Sequence, residues 1–302
     1  MERGSHVLVF PFPVQGHINP MLQFSKRLAA KGLTITFITT HSTQYTTDFS
    51  SGSIQIQTQP IYDGFEPGEK KPDIEAFFER FAVATSHSLL EFLESQIQSS
   101  NSNPPKFLIY DSAMPWALQI AHKFGIKGSP FFTPSCAVSA IYCHAHQGLI
   151  KLPLELDGVS SDLSFPGLPL LGLEDLPSFV QDVSLYPSLL KWVLRRFSNV
   201  DEADCLFLNT FDELENEVVN WMGSKWRVMT IGPTLPSMYL DKRVDEKRIV
   251  RRDEIELCLK EVMLGERASL FKANAIKWMK LTREAVDEGG SSDRNIDDFV
   301  AK

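Results

Sequence analysis

The chain has 302 residues, of which 43% are hydrophobic and 23% charged, a composition typical of a globular protein with one large core or two smaller ones. Its formal net charge is −8, so an extended nucleic-acid surface would oppose the protein's own field, and we expect no nucleic-acid partner. No run approaches the roughly 18 consecutive apolar residues that a membrane span needs, and the first residues lack the apolar core of a secretion signal. We therefore expect a cytoplasmic protein without a membrane span.

The four cysteines give no sign of a metal or disulfide site. None of Cys136, Cys143, Cys205 and Cys258 belongs to a CxxC pair, the spacing that zinc sites and redox motifs use. A reduced protein with no metal and no bound cofactor is the expectation.

Short apolar runs alternate with segments of helical period along most of the chain, which predicts βαβ units on a parallel sheet. The predicted strands are Val7–Phe10, Thr34–Thr39, Ile54–Gln57, Phe107–Tyr110, Gly128–Phe132, Cys205–Asn209 and Val228–Ile231. The predicted helices are Ile18–Lys31, Ile74–Gln98, Pro115–Phe124, Ala137–Gly148, Leu189–Asn199 and Leu214–Met222. This order predicts a doubly wound, mostly parallel α/β domain of Rossmann type.

Two regions depart from this alternation. Prolines cluster between Leu152 and Ser188, which favours an ordered surface loop over a helix. The last 58 residues carry 12 Lys/Arg and 13 Asp/Glu, yet an apolar stripe predicts a helix that docks by one face; its members are Phe271, Ala275, Trp278, Leu281 and Ala285. A short last helix is predicted near Ile296–Ala301. We therefore divide the chain into a Rossmann-like domain, residues 1–243, and a helical tail, residues 244–302, that packs on it.

The segment that joins the first strand to the first helix carries the main chemical signal. It lacks the GxGxxG pattern of a dinucleotide-binding turn, and instead places His17 where the first helix opens. In open α/β sheets, ligands bind at the carboxyl ends of the strands, where this segment lies. The positive end of the helix dipole disfavours an imidazolium, so His17 suits the role of a general base.

A histidine base benefits from a carboxylate on its second ring nitrogen, because the carboxylate fixes the tautomer and stabilises the imidazolium formed during reaction. Asp111 directly follows the strand Phe107–Tyr110, which places it at the same sheet edge as His17. Taken singly, the histidine is more often a cap or a packing residue, and the aspartate more often the N-cap of the next helix. The pair on one sheet edge favours a catalytic dyad.

Several strings resemble plant family 1 UDP-glycosyltransferases. The resemblance begins with Phe12–Leu28 (FPVQGHINPMLQFSKRL) and continues with Tyr110–Ser112, followed by Trp116, and with Phe131–Ser135 (FFTPS). It extends in the same order through Phe165–Pro169 (FPGLP), Asn209–Glu215 (NTFDELE) and Ile231–Thr234 (IGPT). Together these strings cover residues 5 to 241. Their detailed residue pattern is similar to that of the subgroup that glucosylates hydrophobic plant metabolites.

This resemblance implies one lobe of a GT-B fold, with C-terminal helices packed back on it, and an inverting transfer of glucose from UDP-glucose as co-substrate. It implies that His17 is the base, that Asp111 orients it and that Thr133 contacts the donor sugar. The implied acceptor site for a hydrophobic small molecule is lined by Gln15, Gly16, Met114, Trp116, Tyr142, His144 and His146. The aromatic members of this set have an alternative interpretation, since aromatic side chains at helical spacing are usually core.

The chain departs from this family where the nucleotide sugar should bind. The strings Trp-Cys-Pro-Gln and His-Cys-Gly-Trp-Asn-Ser do not occur, and none of the five tryptophans has a cysteine beside it. The segment Tyr239–Arg243, which resembles the interdomain linker, is followed almost at once by Arg251–Ile255, which resembles the family's C-terminal region. The sequence therefore predicts that the nucleotide-sugar-binding domain is missing near 244–245 and has to be supplied separately for catalysis.

Two hypotheses follow for function. The first is the acceptor-binding half of a UDP-glucosyltransferase that modifies a hydroxyl or carboxyl of a hydrophobic molecule and is inactive alone. The second is a catalytically inactive single-domain derivative that acts as a binding module for such molecules. Hydride transfer and serine hydrolysis rank lower, because neither the glycine fingerprint nor a GxSxG elbow is present.

Overall fold

The computed structural model of the chain describes residues 4–42, 56–98, 103–154, 163–234 and 268–301. Its sheet has seven parallel strands in the order β3-β2-β1-β4-β5-β6-β7. The strands are β1 (His6–Phe10), β2 (Thr34–Thr40), β3 (Gln57–Ile61), β4 (Pro105–Asp111), β5 (Lys127–Phe132), β6 (Leu206–Leu208) and β7 (Val228–Thr230). The predicted doubly wound α/β fold is confirmed.

Helices cover both faces of this sheet. They are α1 (Gln15–Ala30), α2 (Ile74–Gln98), α3 (Trp116–Lys123), α4 (Cys136–His146), α5 (Ser178–Gln181), α6 (Pro187–Leu194), α7 (Asn216–Gly223), α8 (Ala268–Val286) and α9 (Ser291–Ala301). Among the described helices none is long and apolar enough to cross a bilayer. The predicted boundary at 243/244, the linker Tyr239–Arg243 and the segment Arg251–Ile255 lie outside the described residues.

The core follows from the two-residue period of the central strands. Side chains at alternate positions of β1 point to opposite faces, so Val7 and Val9 pack with α1 on one face. Leu8 and Phe10 pack on the other face, with helices α2 and α3. Because both faces are covered, every residue of β1 is buried. This explains why Val7–Phe10 is a continuous apolar run.

The third strand is wrongly placed in the sequence-based prediction. The predicted Ile54–Gln57 begins outside the described residues, and β3 runs over Gln57–Ile61. This strand lies at the sheet edge beside β2, and it is mostly exposed and polar apart from Ile61. An edge strand needs no apolar run and tolerates a proline such as Pro60, so the search for apolar runs missed it.

The region around the proline cluster is more regular than predicted. A 3-10 turn at Leu173–Asp175 and the helix α5 lie within it, and Pro187 begins α6 at a position that suits proline. The helix predicted over Leu189–Asn199 is shorter in the structure than in the prediction. Helix α6 ends at Leu194 and continues as a 3-10 turn, Arg195–Phe197.

The two tail helices differ sharply in burial. In α8 the predicted docking stripe is wrong over most of its length, since Ala275 and Trp278 are exposed and Ala285 alone of the stripe is buried. Helix α9 carries the docking instead. Its Phe299 packs edge-on against Phe107 and Phe207, with ring centroids 4.9 and 5.1 Å away.

Polar contacts fix α9 in register against the body. Lys31 Nζ, just after α1, lies 2.8 Å from Asp293 Oδ1 and 2.7 Å from Asp297 Oδ1. Asn295 Nδ2 donates to the Thr230 carbonyl at 2.9 Å. The last helix is therefore an integral part of the lobe, tied to both α1 and β7.

This difference between the tail helices can be tested with a matched pair of substitutions. Ile296 in α9 is fully buried, whereas Ile276 in α8 is 53% exposed. We expect Ile296→Ala to lower the free energy of unfolding by roughly 2–5 kcal/mol, because it leaves a cavity in the core. Ile276→Ala should change it by less than about 0.5 kcal/mol. Urea unfolding of both variants measures this, and equal effects would contradict the assigned burial.

Candidate active site

The strand order reverses between β1 and β4, which lie side by side at the centre of the sheet. Connections leave these strands in opposite directions across the sheet, so a crevice opens at their carboxyl ends. His17 follows β1 within α1, and Asp111 is the last residue of β4. The topology therefore brings together two residues that are 94 positions apart in sequence.

Helix α1 begins at Gln15, three residues before the predicted start. The main-chain N–H groups of His17 and Ile18 both donate to the Val14 carbonyl, at 2.9 and 3.0 Å, so His17 lies in the first turn and not ahead of the helix. The first turn still carries the positive end of the helix dipole. His17 therefore lies at this end of the helix.

The expected contact between the two residues is present. His17 Nδ1 donates to Asp111 Oδ2 at 2.6 Å, a distance typical of a strong charge-assisted hydrogen bond. The imidazole is 20% exposed. Because Nδ1 faces the carboxylate, Nε2 is the nitrogen through which His17 could accept a proton from a ligand.

Asp111 is fully buried, and both of its oxygens are occupied. Oδ2 also lies 3.4 Å from the Phe12 main-chain nitrogen, and Oδ1 accepts from the Ala113 N–H at 2.9 Å. Burial by itself would raise the pKa of Asp111, but the His17 imidazole, the Arg196 guanidinium and the Ala113 N–H outweigh it and lower that pKa. Asp111 is therefore an anion at neutral pH.

Thr133 completes this side of the site. It follows β5, the next strand beyond β4, and its Oγ1 lies 3.4 Å from His17 Nδ1. The side chain is partly exposed. Thr133 therefore stands beside the dyad, within reach of a ligand that contacts His17.

An aromatic wall flanks His17. The Phe12 ring meets the imidazole edge-on at a centroid distance of 5.6 Å. Trp192 of α6 lies 6.3 Å from Phe12 and stacks on Phe78 at 4.2 Å with an interplanar angle of 13°. Sequence reasoning missed these three residues. Phe77, Phe78 and Phe81 share one face of α2, a pattern that predicts a packed face but not which element it meets.

The predicted acceptor residues divide into two groups. Gln15 and Gly16 are exposed in the first turn of α1, next to His17, and His146 is exposed at the end of α4. Trp116 is partly buried and meets Phe10 edge-on at 6.0 Å. These four positions remain compatible with contact to a ligand.

Three others are core residues in this structure. Met114 is fully buried beneath the sheet edge, and Tyr142 is 7% exposed within the α4 cluster. His144 is fully buried, with Nε2 2.9 Å from the Pro166 carbonyl oxygen and its ring 4.5 Å from that of Trp221. Met114 and His144 are fully buried in this structure, and their contact with a ligand stays a prediction. The aromatic-core interpretation holds at Tyr142.

Metal and disulfide chemistry find no support in the described part of the chain. No three His, Cys, Asp or Glu side chains lie close enough there to hold a metal ion. Cys136, Cys143 and Cys205 are buried, and none of the three forms a disulfide within the described residues. Cys258 lies outside the described residues.

A cavity of about 410 Å³ lies at the opposite edge of the sheet. Its lining includes Phe107 and Lys127, at the amino ends of β4 and β5, and Phe299 of α9. None of its lining residues belongs to the dyad or the aromatic wall. The cavity is therefore not the candidate acceptor site.

Comparison with known proteins identifies the family. A model of the family "Glycosyltransferase, N-terminal domain" matches residues 5–48. UDP-glycosyltransferase 74E1 of Arabidopsis thaliana is 44% identical over 252 residues, which cover 82% of this chain and 54% of the relative. Mogroside I-E synthase of Siraitia grosvenorii is 30% identical over 455 aligned positions, which cover 100% of this chain and 99% of the relative.

The chain belongs to the plant UDP-glycosyltransferase family. Its fold agrees: the crystal structure of Os79 from O. sativa in complex with U2F and trichothecene superposes with a TM-score of 0.82 at 25% identity, covering 98% of this chain and 99% of that one. The seven-stranded sheet is thus one lobe of the GT-B fold of these UDP-glycosyltransferases. The resemblance drawn from the sequence strings is confirmed.

The comparison also bears on length. The chain spans about half the length of the Arabidopsis relative. In the alignment with the Siraitia glycosyltransferase, at least 153 of the 455 positions have no counterpart in this 302-residue chain. Because that alignment runs through nearly all of both proteins, the unmatched positions of the relative lie mostly inside it. This agrees with the missing segment predicted from the sequence.

The environment of Asp111 predicts a specific pH dependence. A carboxyl whose folded-state pKa is depressed stabilises the fold above the ordinary carboxyl pKa of about 4 and loses that contribution as pH falls through the folded-state pKa. We expect Asp111→Asn to lower the free energy of unfolding by about 1–3 kcal/mol at pH 7. Between about pH 5 and pH 3 its free energy of unfolding should fall less than that of the wild type. Urea unfolding at several pH values measures both. Asp298→Asn, an exposed position in α9, should keep the wild-type profile; an unchanged profile in Asp111→Asn would contradict the assignment.

Proposed function

We propose that this chain is the acceptor-binding half of a UDP-glucosyltransferase, with His17 as general base and Asp111 as its orienting partner. The reaction is the inverting transfer of glucose from UDP-glucose to a hydroxyl or carboxyl of a hydrophobic small molecule. The observation that carries this proposal is the 2.6 Å hydrogen bond from His17 Nδ1 to the buried Asp111 carboxylate. Family membership supplies the reaction class.

The proposed mechanism is a single displacement. His17 Nε2 accepts the acceptor's O–H proton while that oxygen forms a bond to the anomeric carbon, and the bond from that carbon to the UDP oxygen breaks. The imidazolium that forms is stabilised by Asp111, which is already ionised and therefore has no proton to lose. Thr133, beside the dyad, is placed to contact the sugar at the reacting centre.

The hydrophobic character of the acceptor is supported by the wall beside His17. The mostly buried Phe12 ring lies against the imidazole, and the partly exposed Trp192 lies against Phe12; aromatic rings of this kind bind flat apolar molecules through area burial and ring stacking. Gln15 and Gly16, at the exposed start of α1, are placed to flank the same ligand. His146 and Trp116 stay candidates for more distant contacts.

The donor requires a second lobe that this sequence does not encode in recognisable form. We propose that residues 1–243 and the tail 244–302 together form the acceptor unit, and that a nucleotide-binding domain supplied separately completes the enzyme. UDP-glucose is then a co-substrate, no other cofactor is needed, and the setting is the cytoplasm. The shorter span relative to UDP-glycosyltransferase 74E1 supports this division.

A second candidate function is a catalytically inactive binding module for hydrophobic molecules. The missing donor strings favour it. The two functions share the acceptor site. They differ in whether a donor is ever bound beside it.

Titration of the chain separates these possibilities in part. We expect binding of flat hydrophobic phenols, measured by tryptophan fluorescence, and no measurable binding of UDP-glucose by calorimetry, because the donor-binding strings are absent. Glucoside formation on adding UDP-glucose alone, detected by mass spectrometry, would contradict the proposed need for a donor domain. Absence of any phenol binding would contradict both functions.

The catalytic assignment is tested in a version completed with the donor domain of UDP-glycosyltransferase 74E1, inserted between Val244 and Asp245. His17→Ala should lower the transfer rate by roughly 10²- to 10⁴-fold, the usual contribution of a general base, while acceptor affinity changes little. UDP release measures the rate. The control is His122→Ala, at an exposed position of α3, which should keep full activity. Unchanged turnover in His17→Ala would refute the dyad.

A further inference from the structure

Arg196 occupies a fixed position near the dyad. It lies in the 3-10 turn Arg195–Phe197 that follows α6. Phe197 is buried and stacks on Phe132 of β5 at 5.4 Å, and Trp192, one turn earlier, packs against Phe12. The turn is therefore held between the end of β5 and the aromatic wall of the acceptor site.

The Arg196 guanidinium has no partner that matches its charge. Its Nε is buried and donates no hydrogen bond, and within the described residues Arg196 makes no ion pair. The adjacent Arg195 is exposed. A buried N–H group without a hydrogen-bonding partner costs free energy, so this partly exposed side chain is an unusual feature of the lobe.

Asp111 does not meet this need. It lies close enough to Arg196 to interact electrostatically, but its two oxygens are already occupied by His17, Ala113 and Phe12. Burial lowers the pKa of Arg196, and the fields of Asp111 and Tyr142 oppose that change. Asp111 therefore attracts the Arg196 guanidinium electrostatically but forms no hydrogen bond with it.

We propose that Arg196 binds a carboxylate of the acceptor, so that the preferred acceptor is a hydrophobic hydroxy acid whose hydroxyl lies at His17. The inference rests on the proposed function for the location of the acceptor site. The planar guanidinium matches a carboxylate better than any neutral group does. Because the chain's net charge of −8 repels anions at long range, a local cation is needed for such a ligand to bind.

A site of this kind selects strongly. A ligand without the carboxylate leaves the Arg196 guanidinium unpaired, and this penalty discriminates better than the loss of apolar contact does. An ester of the same acid keeps the ring and the hydroxyl but loses the charge. The acid and its methyl ester are therefore the matched ligands for a test.

The experiment measures the affinity of the 302-residue chain, by calorimetry, for 4-hydroxybenzoic, 4-hydroxyphenylacetic and 3-(4-hydroxyphenyl)propanoic acids and for their methyl esters. For the best-fitting acid we expect about tenfold tighter binding than for its ester, the effect of one charge-assisted contact. Arg196→Gln should abolish this preference by weakening the acid and leaving the ester unchanged. Arg195→Gln, the neighbouring exposed arginine, should behave as the wild type.

Ester binding reports on the fold of each variant. If Arg196→Gln loses both ligands, Arg196→Lys decides, since it keeps the charge and should retain part of the acid preference. If Arg196→Lys binds the ester normally and binds the acid no better than the ester, the proposal is overturned. Equal affinity of the wild type for acid and ester, no binding of either, or an equal effect of Arg195→Gln would also overturn it. His17→Ala should keep the acid preference, so a failure of the catalytic proposal is distinguishable from a failure of this one.

Discussion

One buried carboxylate organises the acceptor lobe. Asp111 lies at the point where the strand order reverses, fully withdrawn from water, and an unpaired charge there would be strongly destabilising. Its compensation comes from three different segments: the Phe12 main chain after β1, the His17 ring in α1 and the Ala113 main chain before α3. Satisfying this single charge therefore fixes where β1 ends, how α1 begins and which way the imidazole faces.

Other strings by which the chain resembles its family have structural roles that support this arrangement. The Glu215 carboxylate accepts from the main-chain N–H groups of Cys136 and Ala137, at 3.0 and 2.9 Å, and so caps the start of α4 just after Thr133. Asn209 Oδ1 accepts from the Thr234 N–H at 3.0 Å, which ties the ends of β6 and β7 together. In this structure these strings support the sheet edge, and they take no part in the proposed chemistry.

The dyad was predictable because its position follows from topology. Parallel strands end at one edge of a sheet, so the last residue of β4 and the helix after β1 were expected to meet there. Trp192 and Arg196 were not predictable in this way, since their place depends on how α6 and the following turn lie across the sheet. The same limit applies to His144, a polar side chain near the end of α4 that is enclosed by Trp221 and the Pro166 carbonyl.

The tail shows why an apolar pattern does not identify its partner. The stripe on α8 correctly predicted a helix, yet the spacing of apolar residues along a helix indicates only which face is apolar, not that a surface exists to receive it. Helix α9, with fewer apolar residues, supplies Ile296 and Phe299 to the core face that α1 also covers, and Lys31 pairs with its acidic residues. Because this face of the sheet is closed by the chain's own last helix, the core on that side does not need a second lobe to exclude water.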